Sequence, residues 1–437
     1  MKLLFAFLFA MVTLQAAWQA GASAVNITPA EPIWMAGYAA RTKPSEGVRQ
    51  DIWAKALALR DDNNNTAVVV TLDLVGVRRR MAETISANIQ KKHGIPRERI
   101  WFNASHTHSA PLVGDNSSYQ FGEYTEKQRP VIQRYAEKVA ADIESAIEKA
   151  IAALAPATLH FEQGLAGFAV NRRRVGHREY PGPVDHDVPV LSVRGADGQL
   201  RAILFGYACH NTVLGDYMIN GDYAGYAQAE LQRRHPGALA LYVQGAGADS
   251  NPLPRRKVEH AERYGATLAD AVDEVLNGRM KAVTPSLKTA MQMVDLKWAG
   301  PLTKQELEPR LQLKNERARG HAARLLKVLE RDGKIADSYS YPIQAWRLGE
   351  QVTVFTFGGE LVVDYSLRFK KLYGHDTTWV AGYSNDVFGY IPSHRVLKEG
   401  GYEGGEAFLF SSLPGPFADD VEDRIAAAVE RVATAVR

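Results

Sequence analysis

The chain of 437 residues carries a formal net charge of +3, has 46% hydrophobic residues and contains one cysteine, Cys209. These values are typical of a globular protein with a large core, in one large domain or two ordinary ones. The weak positive charge, without clusters of Lys and Arg interleaved with aromatic residues, argues against nucleic acid as a partner. A single cysteine excludes an internal disulfide and a cysteine-rich zinc cluster, so any metal must be bound by His, carboxylate or Tyr side chains.

The first residues have the pattern of a secretory signal peptide. Lys2 precedes a short apolar run over residues 3–12, and small residues follow at a plausible cleavage site. The run is too short to cross a bilayer, and no later segment of about 18 apolar residues exists. We therefore expect a signal peptide at residues 1–16 and a secreted or periplasmic mature chain, 17–437, without a transmembrane segment. The alternative for residues 1–16 is an N-terminal core helix. The oligomeric state stays open.

Strand-like and helix-like segments alternate along the chain. Apolar or β-branched runs predict strands at 66–72, 100–103, 188–193, 202–207, 238–243 and 352–357. Helix-like stretches lie at 80–93, 127–153 and 258–276. This alternation predicts an α/β fold with a mixed β-sheet core flanked by helices, in a single large catalytic domain. The charged, helix-prone stretch 303–332 is interpreted as a surface helical excursion within that domain.

A histidine pair follows the predicted strand 100–103, in the segment Asn-Ala-Ser-His-Thr-His-Ser that contains His106 and His108. Ligands and catalytic groups of α/β folds collect at the carboxyl ends of strands. On extended backbone a spacing of two places both imidazoles on one side, so one can bind a metal while the other acts as acid or base. The alternative is two ordinary polar loop histidines.

Two more candidate ligands follow predicted strands. His210 comes after the strand 202–207, and Glu360 comes after 352–357 behind two glycines that allow close approach of the backbone to a ligand. A buried core histidine and a helix-start glutamate are the ordinary alternatives. Taken together, two His and a carboxylate with an open position are the ligand set of a hydrolytic zinc site, in which the bound water has a pKa of roughly 7.

With these motifs the chain resembles the neutral, non-lysosomal ceramidase family from near residue 20 to near residue 410. The resemblance implies one zinc ion per chain and cleavage of an N-acyl amide bond, in ceramide or a related N-acylated lipid, by zinc-activated water. It implies the zinc ligands His106, His210, Glu360 and Tyr390. It also implies three catalytic residues, His108, Arg172 and Tyr402.

The implied roles are chemically consistent. Zinc polarises the scissile carbonyl and supplies a hydroxide. His108 passes a proton to the leaving amine, and Tyr402 and Arg172 donate hydrogen bonds to the oxyanion. Asp73, at the end of the strand 66–72, is either the acceptor that orients a zinc histidine or an ordinary loop aspartate.

Two features depart from the family pattern. Its Gly-Asp-x-Ser-Pro-Asn segment corresponds here to Gly-Ala-Asp-Ser-Asn-Pro over 247–252, and no register restores the motif. Asp249, Ser250 and Asn251 are the substrate-binding candidates, and a polar tight turn is the alternative. Only 35 residues follow Tyr402, too few for the C-terminal β-sandwich of full-length members. A zinc hydrolase of a small non-lipid amide or ester, or a non-catalytic zinc-containing binding protein, are therefore kept as alternatives.

Overall fold

The computed structural model describes residues 18–113, 128–175, 179 and 181–437. The predicted leader, residues 1–16, lies outside the described residues. The strands are β1 (Trp18–Asn26), β2 (Gly47–Val48), β3 (Trp53–Arg60), β4 (Thr66–Leu72), β5 (Ile100–Ala104), β6 (Ala155–Leu165), β7 (Ala169–Asn171), β8 (Asp187–Gly195), β9 (Leu200–Tyr207), β10 (Met218–Ile219), β11 (Leu239–Gln244), β12 (Ser250–Pro252), β13 (Lys281–Val283), β14 (Leu287–Lys297), β15 (Ser338–Leu348), β16 (Val352–Phe357), β17 (Glu360–Leu361), β18 (Thr378–Ala381) and β19 (Tyr390–Ile391). The helices are α1 (Arg79–His93), α2 (Gln128–Ala152), α3 (Asp222–Arg234), α4 (Val258–Asn277), α5 (Lys304–Leu307), α6 (Glu316–Asp332), α7 (Val363–Tyr373), α8 (His394–Glu399), α9 (Gly401–Gly404) and α10 (Val421–Ala435).

The main sheet is mixed. Its strand order is β11-β9-β8-β6-β1-β3-β4-β5, with β13 paired to β6. The pairs β4–β5 and β9–β11 are parallel, while the other neighbours run antiparallel. β4, whose sequence is Thr-Ala-Val-Val-Val-Thr-Leu, is buried along its whole length. A continuous β-branched, apolar run suits such a strand because both of its faces are covered.

A second sheet, in the order β14-β15-β16-β18, packs face to face against the main sheet. The layer between them contains Trp101, Trp346 and Trp379, whose rings meet edge to face. Buried aromatic pairs of this geometry stabilise a core beyond the area they remove from water. The core therefore consists of two stacked sheets rather than one.

Helices cover the two outer faces. α1 and α2 pack on the β1-β3-β4-β5 part of the main sheet, and α3 and α4 pack on the β8-β9-β11 part. α7 and α10 cover the second sheet. The resulting order of layers, helix-sheet-sheet-helix, confirms the predicted α/β class with a mixed sheet flanked by helices. α1, α2 and α4 match the three predicted helices to within two residues.

The predicted excursion at 303–332 is helical. It consists of α5, a 3₁₀ turn over Glu308–Gln312 and α6, which surround a small apolar cluster of their own. Asn315 caps the start of α6 with its side chain, and Gly333 ends the helix in the left-handed conformation. Both residues are the types that favour these positions.

Asn103 links the carboxyl ends of three strands. Its Oδ1 accepts a hydrogen bond of 2.8 Å from the amide of Gln244, at the end of β11. Its Nδ2 donates to the carbonyl oxygen of Gly382, directly after β18, at 2.8 Å. The ends of β5, β11 and β18 therefore meet, and the loops that leave this end of the two sheets converge on one place.

Candidate metal and catalytic site

The imidazoles of His106 and His210 and the carboxylate of Glu360 meet at this convergence. Oε2 of Glu360 lies 3.2 Å from Nε2 of His106 and 3.3 Å from Nε2 of His210. All three side chains are buried. His106 and His210 come from the loops after β5 and β9, and Glu360 begins β17, the short strand that follows β16.

Backbone carbonyls fix the orientation of both imidazoles. Nδ1 of His106 lies 2.6 Å from the carbonyl oxygen of Val75, and Nδ1 of His210 lies 2.8 Å from that of Gly247. A carbonyl oxygen only accepts, so Nδ1 carries the proton in each ring and Nε2 presents a lone pair to the centre. Burial, together with the charge of Arg172, lowers the pKa of His210 to about 4, so this ring is neutral at pH 7.

The carboxylate of Glu360 lacks a hydrogen-bond donor at this centre. Its Oε2 is buried and has no hydrogen-bond partner among the described residues. Burial raises the pKa of Glu360, but the positive charge and N–H donors that His106 and His210 offer when protonated outweigh burial and hold it well below its ordinary value, so the group is an anion. An anionic oxygen and two nitrogen lone pairs at one point repel one another unless a cation lies between them. These donors match those that bind Zn²⁺.

His108 lies beside this group. Its Nε2 is 3.0 Å from Nε2 of His106, and its buried Nδ1 has no hydrogen-bond partner among the described residues. The ligand atoms of His106, His108 and His210 lie within 4.8 Å of one another, so His108 is itself a candidate metal ligand. Burial, and then the neighbouring imidazoles, place the pKa of His108 well below its ordinary value.

The backbone of the histidine pair differs from the expectation. The prediction of extended backbone is wrong at His106, whose φ of 63° is left-handed. A non-glycine residue in this region is strained and is held there by its surroundings. Here the amide of His106 donates to the carbonyl of Leu74 at 2.9 Å. The two rings therefore meet through a turn.

Arg172 and Tyr390 lie beside these donors. Nη2 of Arg172 donates to the hydroxyl of Tyr390 at 3.0 Å, and Nε donates to Glu403 at 2.6 Å. Burial alone lowers the pKa of Arg172, but Tyr390 and Glu403 outweigh it, and the pKa lies well above its ordinary value. Tyr390 is also paired to Glu360 through the parallel bridge of β17 and β19. Arg172 thus remains a cation next to two members of the predicted ligand set.

We use the name histidine cavity for the space of about 50 Å³ lined in part by His106, His108, Glu360, Tyr390 and Tyr402. This volume holds a metal ion and about one water. Tyr402 closes one side and is 41% exposed. Burial, and then the charge of Glu360, raise the pKa of Tyr402 to about 12, so its hydroxyl keeps its proton at neutral pH.

The three predicted substrate-binding residues occupy different positions. The carboxylate of Asp249 accepts from the amide of Val363, at the start of α7, and from Nδ2 of Asn171. Ser250 is fully buried, and its hydroxyl has no hydrogen-bond partner among the described residues. Asn251 lines a larger cleft next to the histidine cavity. Among the three, Asn251 is thus the one that faces space large enough for a substrate.

Asp73 does not orient a histidine. Its carboxylate accepts from the amide of Trp53 and from Nε2 of Gln228, both at 3.0 Å, in a buried group with Lys55. The orienting acceptors are instead the carbonyls of Val75 and Gly247. The sequence gives no signal for them, since any residue type supplies a carbonyl oxygen.

Sequence reasoning also missed Tyr383. Its ring lies 4.6 Å from that of His106, its φ is 51°, and its buried hydroxyl has no hydrogen-bond partner among the described residues. It follows β18, a four-residue strand that the apolar pattern did not reveal. An aromatic residue after an unpredicted strand carries no signal of a site.

The chain belongs to the neutral/alkaline non-lysosomal ceramidase family. The N-terminal model of this family matches residues 18–246, more than half of the chain, and confirms the resemblance. A ceramidase complexed with C2 superposes with a TM-score of 0.71 at 18% identity, covering 95% of this chain and 76% of the other. The neutral ceramidase from Pseudomonas aeruginosa gives 0.72 at 19% identity, covering 95% and 75%.

No curated protein matches the chain in sequence. At the identities of the two solved structures, the likeness shows a shared fold. Membership of the family supports a hydrolase that acts on amide bonds. Among the described helices, none combines the length and apolar character that crossing a bilayer requires.

Proposed function

We propose that this protein is a zinc-dependent amidohydrolase that cleaves the N-acyl bond of ceramide or a related N-acylated lipid. The observation that carries the proposal is the meeting of two Nε2 lone pairs, from His106 and His210, with the donor-less Oε2 of Glu360. His106, His210, Glu360 and Tyr390 would hold one zinc ion. When bound, the ion supplies Lewis acidity toward the scissile carbonyl and a more acidic water.

The neighbouring side chains suit the remaining steps of amide hydrolysis. His108 is neutral and half-buried beside His106, so it can accept a proton and deliver it to the leaving amine. The hydroxyl of Tyr402 and the guanidinium of Arg172 keep their protons and can donate hydrogen bonds to the oxyanion. These assignments give each predicted catalytic residue a role that its protonation state permits.

A place for an acyl chain supports a lipid substrate. Within the described residues, a cavity of about 600 Å³ lies between α1 and α2 and shares Gly76, Arg78 and Val113 with the histidine cavity. Met81, Ile85 and Ile132 contribute to its lining. An apolar cavity that opens on a reacting centre suits the hydrocarbon part of a substrate.

The test is to measure the zinc content of the purified protein and the release of fatty acid from N-acyl-sphingosine and short N-acyl amines. We expect one zinc per chain, loss of turnover after chelation and recovery on adding Zn²⁺. His210→Ala should lose both the metal and the activity. His394→Ala is the matched control because His394 is exposed. A full zinc equivalent in His210→Ala would overturn the ligand assignment, and a zinc-loaded protein without turnover would overturn the activity.

We also propose that residues 1–16 are removed on export and that the protein acts outside the cytoplasm. N-terminal sequencing of the protein recovered from cell fractions tests this. A mature chain that begins near residue 17 in the periplasmic or extracellular fraction is expected. A chain retained in the cytoplasm with its first residues intact would contradict it.

A further inference from the structure

A wide basic cleft adjoins the histidine cavity on the side away from the apolar cavity. We use the name arginine cleft for this space of about 900 Å³, whose lining includes Arg172, Arg173, Arg174, Asn251, Arg255 and Arg256. Tyr402 lines both the arginine cleft and the histidine cavity, so the two spaces are neighbours. A substrate whose amide lies in the histidine cavity can therefore extend into the cleft.

The cleft has more cations than its own acids neutralise. Five arginines line it against two glutamates, Glu399 and Glu403, which leaves three positive charges in excess. The two glutamates are already engaged with the arginines at 172–174 through ion pairs of 2.5 to 3.1 Å. None of their pairs involves Arg255 or Arg256.

Among the described residues, neither Arg255 nor Arg256 forms an ion pair with a carboxylate. Arg255 is half-buried and makes no hydrogen bond or ion pair with the described residues. Arg256 stacks its guanidinium 4.8 Å from the ring of Tyr38 and makes a long contact of 3.4 Å with the carbonyl of Leu214. The nearby carboxylate of Asp222 is occupied by backbone amides of its own loop. The half-buried guanidinium of Arg255 without an anion is a costly arrangement that a ligand can relieve, and the exposed guanidinium of Arg256 can reach the same ligand.

The local backbone holds Arg256 in this position. Its φ of 77° is left-handed, and its amide donates to the carbonyl of Val213 at 2.7 Å. Strain of this kind in a non-glycine residue clusters at sites that bind ligands. The ring of Tyr38 that receives Arg256 also lies 4.7 Å from the ring of His108. Only the side chain of Tyr38 therefore separates the charge of Arg256 from His108, the proposed proton carrier.

We propose that the substrate carries an acidic group on its amine half, and that Arg255 and Arg256 bind this group. The inference rests on the proposed amidohydrolase function and specifies its substrate class as N-acyl amino acids and related acidic N-acyl amines. The acyl chain extends toward α1 and α2, the amide lies in the histidine cavity, and the acid lies in the arginine cleft. Guanidinium groups bind carboxylates and phosphates through paired hydrogen bonds, which gives such a site its selectivity.

The experiment compares three substrates with one acyl chain, each below its micellar concentration. They are N-dodecanoylglycine, the neutral N-dodecanoylethanolamine and the phosphate-bearing N-dodecanoyl-phosphoethanolamine. Release of dodecanoate gives kcat/KM for each, and calorimetric titration of the zinc-loaded protein gives the binding constants. We expect an acidic substrate to be preferred over the neutral one by about tenfold or more, as one or two charge-assisted hydrogen bonds provide. Whichever acidic substrate has the higher kcat/KM relative to the neutral one shows whether the acidic group is a carboxylate or a phosphate.

Variants assign the preference to the two arginines. Arg255→Gln and Arg256→Gln should each reduce it by about tenfold, while Arg255→Lys should retain part of it because the charge stays. Lys257→Gln is the matched control, since Lys257 is the exposed next cation and does not line the cleft. Thermal unfolding of each variant verifies that it is folded.

The outcomes separate the two proposals. Equal turnover of acidic and neutral substrates by the wild type would overturn the acidic substrate and leave the amidohydrolase standing. If none of the three compounds is hydrolysed, the proposed activity fails. The calorimetric binding constants then decide whether the cleft prefers acidic compounds. Tighter binding of the acidic compounds that is lost in Arg255→Gln or Arg256→Gln supports it. Equal binding of acidic and neutral compounds, or a loss that Lys257→Gln reproduces, contradicts it.

Discussion

Gly37 lies directly against the imidazole of His108. A Cβ added at Gly37 would lie 2.4 Å from Cγ of His108 and 2.6 Å from its Cβ, and the glycine has a φ of 93°. No side chain fits there without moving the ring. The position of the proposed proton carrier therefore depends on the absence of a side chain 71 residues earlier in the sequence.

We predict that Gly37→Ala lowers kcat by about a hundredfold, because a misplacement of about 1 Å at a catalytic group has effects of that size. Zinc content should change little, since the three atoms nearest to the added Cβ all belong to His108. Gly198→Ala is the control, because Gly198 has a φ of 76° and nothing lies within 4 Å of its Cβ position. This variant therefore has the backbone strain of Gly37→Ala without its steric clash. Steady-state kinetics that show the same kcat for both variants would contradict the prediction.

Glu403 anchors two arginines at the boundary of the site. It accepts from Nε of Arg172 at 2.6 Å and from Nη1 of Arg173 at 2.7 Å. Burial raises the pKa of Glu403, but Arg172 and Arg173 outweigh burial and lower it. We predict that Glu403→Gln lowers the free energy of unfolding by about 1–3 kcal/mol and reduces kcat/KM, because a buried charged hydrogen bond is lost and Arg172 is released.

The sign of the pH dependence follows from the direction of that shift. A carboxyl whose folded-state pKa is lowered contributes stability above its unfolded pKa, and this stability is lost as the pH falls through the folded value. The stability difference between wild type and Glu403→Gln should therefore shrink below about pH 4. Denaturant unfolding at several pH values measures it, with Glu406→Gln, an exposed position, as the control. If the stability difference between wild type and Glu403→Gln stays constant down to pH 2, it does not arise from the charge of Glu403.

Asp222 predicts the opposite dependence. Burial raises its pKa to about 6, although the amides of Val213, Leu214 and Tyr223 donate to its carboxylate. A carboxyl whose pKa is higher in the folded state stabilises the fold fully when the pH is below the pKa of the unfolded chain, near 4. This stabilisation is lost as the pH rises through the folded-state pKa of about 6. The expected loss is about 3 kcal/mol across this window.

Asp222→Asn cannot ionise, so its free energy of unfolding should lose this part of the slope between pH 4 and 6, on top of a lower overall stability from the lost acceptor. Asp62→Asn, at an exposed turn, should keep the wild-type slope. Equal slopes for wild type and Asp222→Asn would show that this carboxylate does not titrate in the window.

Lys55, in β3 of the main sheet, is buried between the sheet and α3. Its Nζ donates to Gln228 at 2.9 Å, to Gln232 at 3.1 Å and to the carbonyl of Ala240 at 2.8 Å. Burial lowers the pKa of Lys55 to about 8, with Asp73 acting in the other direction. Stability should therefore rise between pH 8 and 10.5, as the unfolded chain holds a proton that the folded chain releases.

We predict that Lys55→Met, similar in length, destabilises the protein by about 2–4 kcal/mol because three acceptors lose their donor. Its unfolding free energy should also lack the rise above pH 8. Chemical denaturation across this pH range measures both effects. Lys91→Met, at an exposed position of α1, is the control. A variant as stable as the wild type would show that these hydrogen bonds are dispensable.

Local patterns in the sequence located the strands and helices with long apolar runs. The runs at 66–72 and 352–357 coincide with β4 and β16, and the helix-like stretch at 258–276 coincides with α4 apart from its last residue. β1 was missed because small residues interrupt its pattern. Gly21 in β1 faces the backbone of α2 so closely that a Cβ would lie 2.2 Å from the carbonyl of Ala150. The packing of α2 onto β1 thus requires a glycine at position 21, and this glycine interrupts the pattern by which the strand could be predicted. The requirement comes from tertiary structure and is not visible in the local sequence.

The same limit applies to the site. His106, His210 and Glu360 were found because each follows a strand with a clear pattern, and strand ends collect ligands. Arg255 and Arg256 were not found, since what marks them is that no carboxylate of the described residues pairs with them. A missing counter-charge is a property of the assembled cleft and leaves no mark on the local sequence. The role of Ser250 in substrate binding stays a prediction.

The meeting of His106, His210 and Glu360 has a consequence for biosynthesis. These residues are separated by 104 and 150 positions, and they meet only when both sheets and the linkage at Asn103 are complete. A nascent chain that ends before residue 360 cannot present the full set of donors, so complete coordination of the proposed ion requires the folded chain. Under the proposed export, the proposed ion would be acquired from the compartment in which folding finishes, and the supply of metal there would set how much of the folded protein becomes active.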